Sequence, residues 1–104
     1  MTALELNSAQ RKKLRGLAHG LKPLATIGRR GLTESVVAEI DSVLDHHELI
    51  KVRLGEGADL KKAEKRALCA EIASQLGASV AGIVGHVGIL YRPARDEDRR
   101  RIRV

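Results

Sequence analysis

Aromatic side chains are nearly missing from this sequence of 104 residues, which contains one Tyr and neither Phe nor Trp. A chain of this length is sufficient for one domain, whose core must then be built from aliphatic side chains. Proteins that bind single-stranded nucleic acid usually stack its bases on aromatic rings, and here only Tyr91 could do so. We therefore expect any nucleic acid to be recognised through its backbone and shape.

Cysteine and long apolar runs are also scarce. A single Cys69 excludes an internal disulfide framework and agrees with a reducing compartment. No run approaches the roughly 20 apolar residues of a membrane span, and the N-terminus has no secretory signal pattern. We expect a soluble, cytoplasmic protein with no membrane partner.

The sequence has no pattern typical of a metal site or a catalytic site. His46 and His47 are adjacent, so on a helix their side chains point in different directions, and Cys69 has no CxxC partner. Cys69 falls near an apolar stripe, which favours a buried thiol over a nucleophile. We expect no metal, no cofactor, no small-molecule substrate and no enzymatic activity.

Positive charge is in excess, since 19 Lys and Arg against 13 Asp and Glu give a formal net charge of +6. The cations are grouped near the start of the chain, in a glycine-containing loop and at positions 61–66, whereas the segment after the loop is acidic. Any one group could be a solvated helix face. Together they predict a positive side suited to a polyanion such as nucleic acid.

The first half of the chain reads as helix, strand, helix, strand. An apolar stripe behind the cap Ser8 predicts a helix over residues 8–19, with Leu17 and Leu21 among its inward positions. The run KPLATI predicts a strand, and Thr33 can cap a second helix that extends to DHHE. LIKVRLG then alternates apolar and basic residues, as in a strand with one buried and one basic face.

The second half adds a helix and a hairpin. After a turn at GEGAD, Asp59 can cap a third helix that ends before Gly77, with Ala63 and Ala67 facing inward. The runs SVAGIVG and VGILYRP then predict two strands joined by a tight turn.

This α-β-α-β-α-β-β order predicts a compact α/β sandwich, a four-stranded mixed sheet with three helices. Strands separated by helices favour parallel pairing through right-handed crossovers, and the final hairpin supplies an antiparallel pair. We expect a single domain over residues 1–93 and a charged, poorly ordered tail over residues 94–104. The sequence does not fix the oligomeric state, and we expect a monomer.

The stretch TIGRRGLTE places two glycines around two arginines, between a strand and a helix start. In such a loop free amides and the positive end of a helix dipole converge, and glycine lets a phosphate chain approach closely. A GxxG loop clamps the nucleic-acid backbone in KH modules. The alternative is a plain turn whose glycines have positive φ. A nucleotide-binding P-loop is disfavoured because no Gly-Lys-Ser/Thr follows.

Two runs, KLRGLAHGLKPLATIGRRGLTESVVAEIDSVLDHHELIKVRL and GIVGHVGILYRP, resemble the CRM domain in its stand-alone bacterial, YhbY-type form. CRM is the chloroplast RNA splicing and ribosome maturation module, and the resemblance covers about residues 8–93. It implies an RNA-binding domain similar in fold to the C-terminal domain of translation initiation factor three and KH-like in its GxxG loop. It also implies association with precursors of the large ribosomal subunit, whereas plant organellar relatives promote group II intron splicing.

The resemblance further implies an RNA-binding surface. The GxxG loop of the family maps onto Gly28, Arg29, Arg30 and Gly31, and its basic first helix onto Arg11, Lys12, Lys13 and Arg15. The LKP, ELIKVR and YRP elements add Lys22, Lys51, Arg53 and Arg92 to the expected contacts. Two positions depart from the family, because His86 stands where a Lys is often found and Gly88 where a bulky apolar residue is usual.

Two classes of function remain open at this stage. The first is an RNA-binding factor that contacts large-subunit ribosomal RNA, or a precursor ribosomal particle, through phosphate contacts and assists ribosome assembly. The second is a protein-interaction adaptor whose basic surface meets an acidic partner, or an RNA chaperone or splicing-type cofactor that uses the same surface.

Overall fold

The structure, a computed structural model, describes residues 5–56 and 59–104. Its elements are α1 (Ser8–Ala18), β1 (Ala25–Ile27), α2 (Glu34–His47), β2 (Leu49–Leu54), α3 (Lys62–Leu76), β3 (Ser79–Val84), β4 (Val87–Tyr91) and a 3-10 helix at Glu97–Arg99. The predicted order of helices and strands is confirmed. The first four residues of the expected domain and positions 57 and 58 of the GEGAD turn lie outside the described ranges.

The strands form one mixed sheet in the order β1-β2-β4-β3. β1 and β2 are parallel, with Ala25 opposite Val52 and Ile27 opposite Leu54, and α2 connects them. β4 lies antiparallel between β2 and β3. Gly85 has a φ of +59° at the first position of the two-residue turn between β3 and β4, a conformation that suits a tight hairpin. The predicted mixed sheet is confirmed.

Alternation along the central strands sends side chains into two separate cores. The even-numbered residues of β2 pack with α2 and α3 on one face of the sheet. On the other face, Leu49 and Tyr91 pack with α1. The predicted alternation of β2 is confirmed, with Lys51 and Arg53 on the less buried face, and α1 covers the end of that face at Leu49.

The first helix differs from the prediction at its cap and on one side. Asn7, not Ser8, is the cap, because the Asn7 side chain accepts from Gln10 N at 2.8 Å and Gln10 Oε1 accepts from Asn7 N at 3.0 Å. Leu17 and Leu21 were predicted to face inward but are 49% and 41% exposed. The helix ends at Ala18, so no further turn carries Leu21 onto the buried face.

Strand β1 is shorter than the predicted KPLATI strand and begins at Ala25. Pro23 has no N–H to donate to a ladder, and Leu24, although its N–H bonds to Lys51 O, is 45% exposed. The strand therefore consists of the three residues that pair with β2, Ala25–Ile27.

Helix ends are confirmed at Thr33, whose Oγ1 accepts from Val36 N, and at Gly77, which adopts a left-handed φ of 63°. The third helix does not begin at Asp59. It begins after Lys61, whose backbone N–H is bound by Glu64 Oε1 at 3.0 Å.

The buried side of α3 is also rotated from the predicted one. Ala63 and Ala67 are exposed, whereas Lys65 and Cys69 are buried. The long Lys65 stem crosses the apolar layer so that its Nζ donates to Gly85 O at 2.8 Å, which fixes the hairpin turn. Within the described ranges, no helix has the length and apolar character needed to cross a bilayer.

The C-terminal segment is packed, in contrast to the expected poorly ordered tail. Ile102 packs with the α1 core beside Tyr91, whose hydroxyl lies 3.5 Å from Ile102 O. The carboxylate of Glu48 accepts backbone hydrogen bonds from Ala94 at 3.0 Å and Arg101 at 2.7 Å. These long-range contacts hold residues 94–102 against the end of the sheet.

Candidate nucleic-acid interface

The glycine loop connects β1 directly to the N-terminus of α2. Gly31 N donates to Gly28 O at 3.1 Å, which closes a tight turn, and Thr33 N donates to Gly31 O at 3.1 Å. The cap at Thr33 satisfies one of the amides in the first turn of α2, and the others remain directed toward the loop. The positive end of the 14-residue helix α2 therefore lies beside the loop.

The two glycines of the loop have different structural causes. Gly31 has a φ of +70°, a conformation that side chains other than glycine rarely adopt. Gly28 has no such φ, and a Cβ added to it would meet no atom within 4 Å. The plain-turn interpretation accounts for Gly31 alone. At Gly28, the missing side chain leaves the outer side of the loop open, as close approach of a phosphate backbone requires.

Cations cluster at this end of the sheet. Arg29 and Arg30 are exposed in the loop, and Arg53 is exposed on β2. Arg53 stands in register with Thr26 of β1, two residues before Gly28. The structure thus places one cation of β2 at the end of the sheet where the loop begins.

The four α1 cations have different surroundings. Lys12 and Lys13 are exposed, and Lys13 Nζ donates to Arg103 O. Arg11 donates to Leu6 O and is half-buried. Arg15 Nη1 donates to Ala81 O at 3.1 Å, so this side chain ties α1 to β3, although the residue as a whole is exposed.

Two further predicted cations lie between α1 and the loop. Lys22 is exposed in the connection from α1 to β1. Lys51 is half-buried on β2, and its Nζ donates to His19 O at the end of α1 at 3.3 Å. Together with Arg53, they continue the positive surface from the helix toward the loop.

Arg92 does not belong to this surface, although it was predicted as an RNA contact. Its side chain is 4% exposed, and its guanidinium donates to Asp41 Oδ1 at 2.7 Å, to Asp45 Oδ1 at 2.9 Å and to the carbonyls of Asp41 and Leu76 at 3.0 Å. All of these partners lie on α2 or α3, so Arg92 ties β4 to both helices. Asp41 and Asp45, two of the four acidic residues of α2, are therefore ion-pair partners of Arg92 and not part of a separate negative surface.

Other sequence signals also have structural explanations. Lys65 belongs to the group of cations at positions 61–66 and is buried against the hairpin turn. Only Lys61, Lys62 and Arg66 of that group are exposed. Cys69 is 1% exposed, and burial raises the pKa of its thiol to about 11, which keeps it protonated and confirms the expected buried thiol. Across residues 5–56 and 59–104, no three His, Cys, Asp or Glu side chains are grouped so that they could hold a metal ion.

Sequence reasoning missed the arginines of the C-terminal segment as part of the surface. Arg99, Arg101 and Arg103 are exposed, and Arg103 lies beside Lys13 of α1. Composition showed that the segment is basic, but only its packing reveals that it adjoins the first helix.

Fold and surface together define a small α/β module with a glycine loop at a helix N-terminus and cations along one sheet face. The chain belongs to the CRS1/YhbY (CRM) family, whose model matches residues 6–92.

Similar proteins carry RNA-binding names. The chain is 42% identical over 91 residues to an RNA-binding protein of Haemophilus influenzae, covering 88% of this chain and 89% of the relative. It is 35% identical over 89 residues to a probable RNA-binding protein of Pseudomonas aeruginosa, covering 86% and 83% of the two chains.

A solved structure shares the fold. The solution structure of a Staphylococcus aureus hypothetical protein, whose description suggests RNA binding, matches with a TM-score of 0.78 and 25% identity. The match covers 95% of this chain and 100% of the other. The predicted CRM resemblance and the predicted fold class are confirmed.

Proposed function

We propose that this protein binds RNA through its phosphate backbone, using the GRRG loop, the cations of α1, and Lys22, Lys51 and Arg53. The observation that carries the proposal is Gly28. The fold does not require glycine there, yet the open backbone directly precedes the exposed Arg29 and Arg30 and lies close to a helix N-terminus. The RNA-binding names of the similar proteins support the same assignment.

The RNA that we propose is large-subunit ribosomal RNA in a precursor particle in the cytoplasm, with the protein as an assembly factor that performs no catalytic step. This finer assignment rests on the resemblance to the bacterial members of the family. Sedimentation of cell extracts tests it, and we expect the protein to travel with precursor large subunits and to leave them after nuclease treatment. Migration at the top of the gradient in untreated extracts would contradict it.

The loop is tested by the salt dependence of binding. Labelled transcripts that tile large-subunit ribosomal RNA would be titrated with the wild-type protein and with the double variant Arg29→Ala, Arg30→Ala. The logarithm of the affinity should fall steeply with the logarithm of salt for the wild type, and the slope should be shallower by roughly one unit per arginine in the variant.

A charge-matched control separates contact from general attraction. Lys62 and Arg66 are exposed on the side of α3 that faces away from Glu64 and Leu68, which line the groove beside the loop. The double variant Lys62→Ala, Arg66→Ala removes the same charge and should leave the slope close to that of the wild type. Equal slopes for the two double variants would refute a contact at the loop.

One observation favours the adaptor as a second candidate. Leu17, Leu21 and Leu24 are 49%, 41% and 45% exposed around the end of α1, next to Lys22. Exposed apolar side chains among cations suit a protein partner with apolar and acidic groups. The triple variant with Ser at the three leucines should release such a partner, in a form insensitive to nuclease, while RNA binding by the purified protein persists.

A further inference from the structure

The C-terminal segment is attached to the domain by one buried carboxylate. Glu48 is 4% exposed, lies between α2 and β2, and directs its two oxygens to the backbone N–H groups of Ala94 and Arg101. Its own carbonyl accepts from Arg92 N at 2.8 Å. Charged side chains are rarely buried to this extent unless they are fully bonded, and here the bonds go to the segment that follows β4.

The backbone at Glu48 supports the same interpretation. Glu48 has φ 55° and ψ −48°, and among the described residues it is the one non-glycine with a positive φ. A glutamate in this conformation is strained, and such strain persists where the surrounding structure requires it. In this conformation Glu48 ends α2, leads directly into β2 and reaches the backbone of residues 94 and 101 with its carboxylate.

The rest of the segment is then held along α1. Ile102 is turned inward to the core that contains Tyr91, and Lys13 Nζ donates to Arg103 O. Arg100 is engaged within the segment, because its Nε donates to Ala94 O at 2.8 Å and its Nη1 lies 3.6 Å from Glu97. Arg99, Arg101 and Arg103 remain exposed, and within residues 5–56 and 59–104 no carboxylate lies within 4.0 Å of their guanidinium groups.

These arginines stand at the opposite end of the sheet from the GRRG loop. Leu49, at the start of β2, packs in the same core as Ile102, whereas Leu54, at its end, pairs with Ile27 just before the loop. Six strand residues separate the two ends by about 17 Å. The α1 cations lie on the face of the sheet that Ile102 also covers.

We infer that Glu48 docks residues 94–103 so that Arg99, Arg101 and Arg103 form a second phosphate-binding surface continuous with Lys12 and Lys13. The inference rests on the proposed RNA-binding function and extends it to a segment outside the residues that the family model matches, 6–92. An RNA that follows α1 would contact the loop at one end and this docked segment at the other.

The first experiment removes the three charges without altering the docking. The variant Arg99→Gln, Arg101→Gln, Arg103→Gln changes only exposed side chains, so its fold should be retained. A labelled RNA stem-loop transcript should bind it more weakly, with a salt slope shallower by roughly two units. The matched control is Lys62→Gln, Arg66→Gln, Arg95→Gln, which removes three exposed charges, two from α3 and one that faces Asp45 of α2, and should leave the slope nearly unchanged.

The second experiment releases the docked segment while keeping its charges. In Glu48→Gln the amide nitrogen replaces one acceptor, so amide hydrogens of Ala94 and Arg101 should exchange faster while those of β4 remain protected. RNA binding should weaken although every arginine is present, because the segment must then be ordered on binding. If β4 also loses protection, Ile102→Ser provides the same release without altering the end of α2.

The outcomes separate this inference from the proposed function. Equal slopes for the Arg99, Arg101, Arg103 variant and its matched control would overturn the inference, while an effect of the loop variant would leave the proposed function standing. Unchanged RNA affinity after the segment is released would overturn the role of docking. Wild-type binding that does not depend on salt would overturn both.

Discussion

At position 28 a hydrogen atom stands where the fold would accept a side chain. We predict that Gly28→Ala leaves the free energy of unfolding within about 0.5 kcal/mol, because the added Cβ meets open space. RNA affinity should fall, because the same Cβ would stand between the backbone and a phosphate. Gly20→Ala is the matched control, since Gly20 also has open space and no positive φ. Equal RNA affinities for the two variants would contradict a close approach at Gly28.

Position 31 is less suitable for this test. Its φ of +70° makes any side chain costly to the fold. Weaker RNA binding by Gly31→Val would therefore not distinguish backbone strain from a lost contact with RNA. The sequence showed two equivalent glycines, and only the backbone angles distinguish them.

Arg92 is predicted to matter for stability and not for binding. Arg92→Met should lower the free energy of unfolding by roughly 2 to 3 kcal/mol, because four hydrogen bonds to α2 and α3 are lost. Its carboxylate partners are 40% and 45% exposed and can be solvated, which limits the cost. The control Arg95→Met, 64% exposed with a carboxylate at 3.9 Å, should cost less than about 0.5 kcal/mol.

Denaturant unfolding measures both effects, and RNA titration of the folded Arg92→Met variant completes the test. A loss of RNA affinity with no loss of stability would return Arg92 to the interface. The sequence shows how many charged residues there are but not which of them make hydrogen bonds inside the fold. For this reason Arg92 and Lys65 were predicted to lie on the surface.

Between elements, the contact of α3 with β4 shows how two small residues fit together. A Cβ on Gly88 would lie 2.8 Å from Cys69 Sγ, and 3.6 Å from the methyl groups of Leu54. The Cys69 sulfur thus occupies the volume that a side chain at position 88 would need.

This fit predicts a coupling that a double-mutant cycle can measure. Gly88→Ala alone should destabilise the protein by about 1 to 3 kcal/mol through overpacking. In a Cys69→Ala background the sulfur is absent, so the same change should cost at least about 1 kcal/mol less. If the two substitutions have additive costs in denaturant unfolding, α3 moves aside and the Cys69 sulfur does not limit the space at position 88.

The order of the helices and strands was predictable because the spacing of apolar residues that marks each one lies within its own segment. The 3.6-residue stripe of α2 and the alternation in β2 need no information from distant residues, and Thr33 and Gly77 carry their cap chemistry themselves. The buried side of α3 was not predictable, because alanines on one side and a long lysine stem on the other give nearly equal patterns. The partner that decides between them, Gly85 O, lies 20 residues away.

For the molecule as a whole, stability should depend on pH in the alkaline range. Burial raises the pKa of Cys69 from 9.0 to about 11, so the folded state holds this proton more tightly than the unfolded state. The associated stability is fully present below pH 9 and is lost as the pH rises to about 11, by roughly 2 to 3 kcal/mol. Cys69→Ala should remove this part of the decline, and an identical decline in both proteins would contradict it.

The path of the C-terminal segment over the domain could not be predicted from the sequence. Glu48 and Arg101 are 53 residues apart, and neither carries a local pattern that indicates the other. The glycine loop, in contrast, is contiguous, so its position between β1 and α2 followed directly from the order of the elements.

The lone tyrosine gives this protein an optical signal that comes from a single place. Tyr91 is 2% exposed with its hydroxyl toward Ile102, and burial, followed by the charge of Glu48, raises its pKa while Arg100 opposes the shift. With no Trp or Phe in the chain, the near-ultraviolet absorbance of the free protein and its intrinsic fluorescence come from this phenol alone. A change in its emission when RNA is added, corrected for the absorbance of the RNA, would therefore follow the junction of sheet, Glu48 and C-terminal segment without any attached dye.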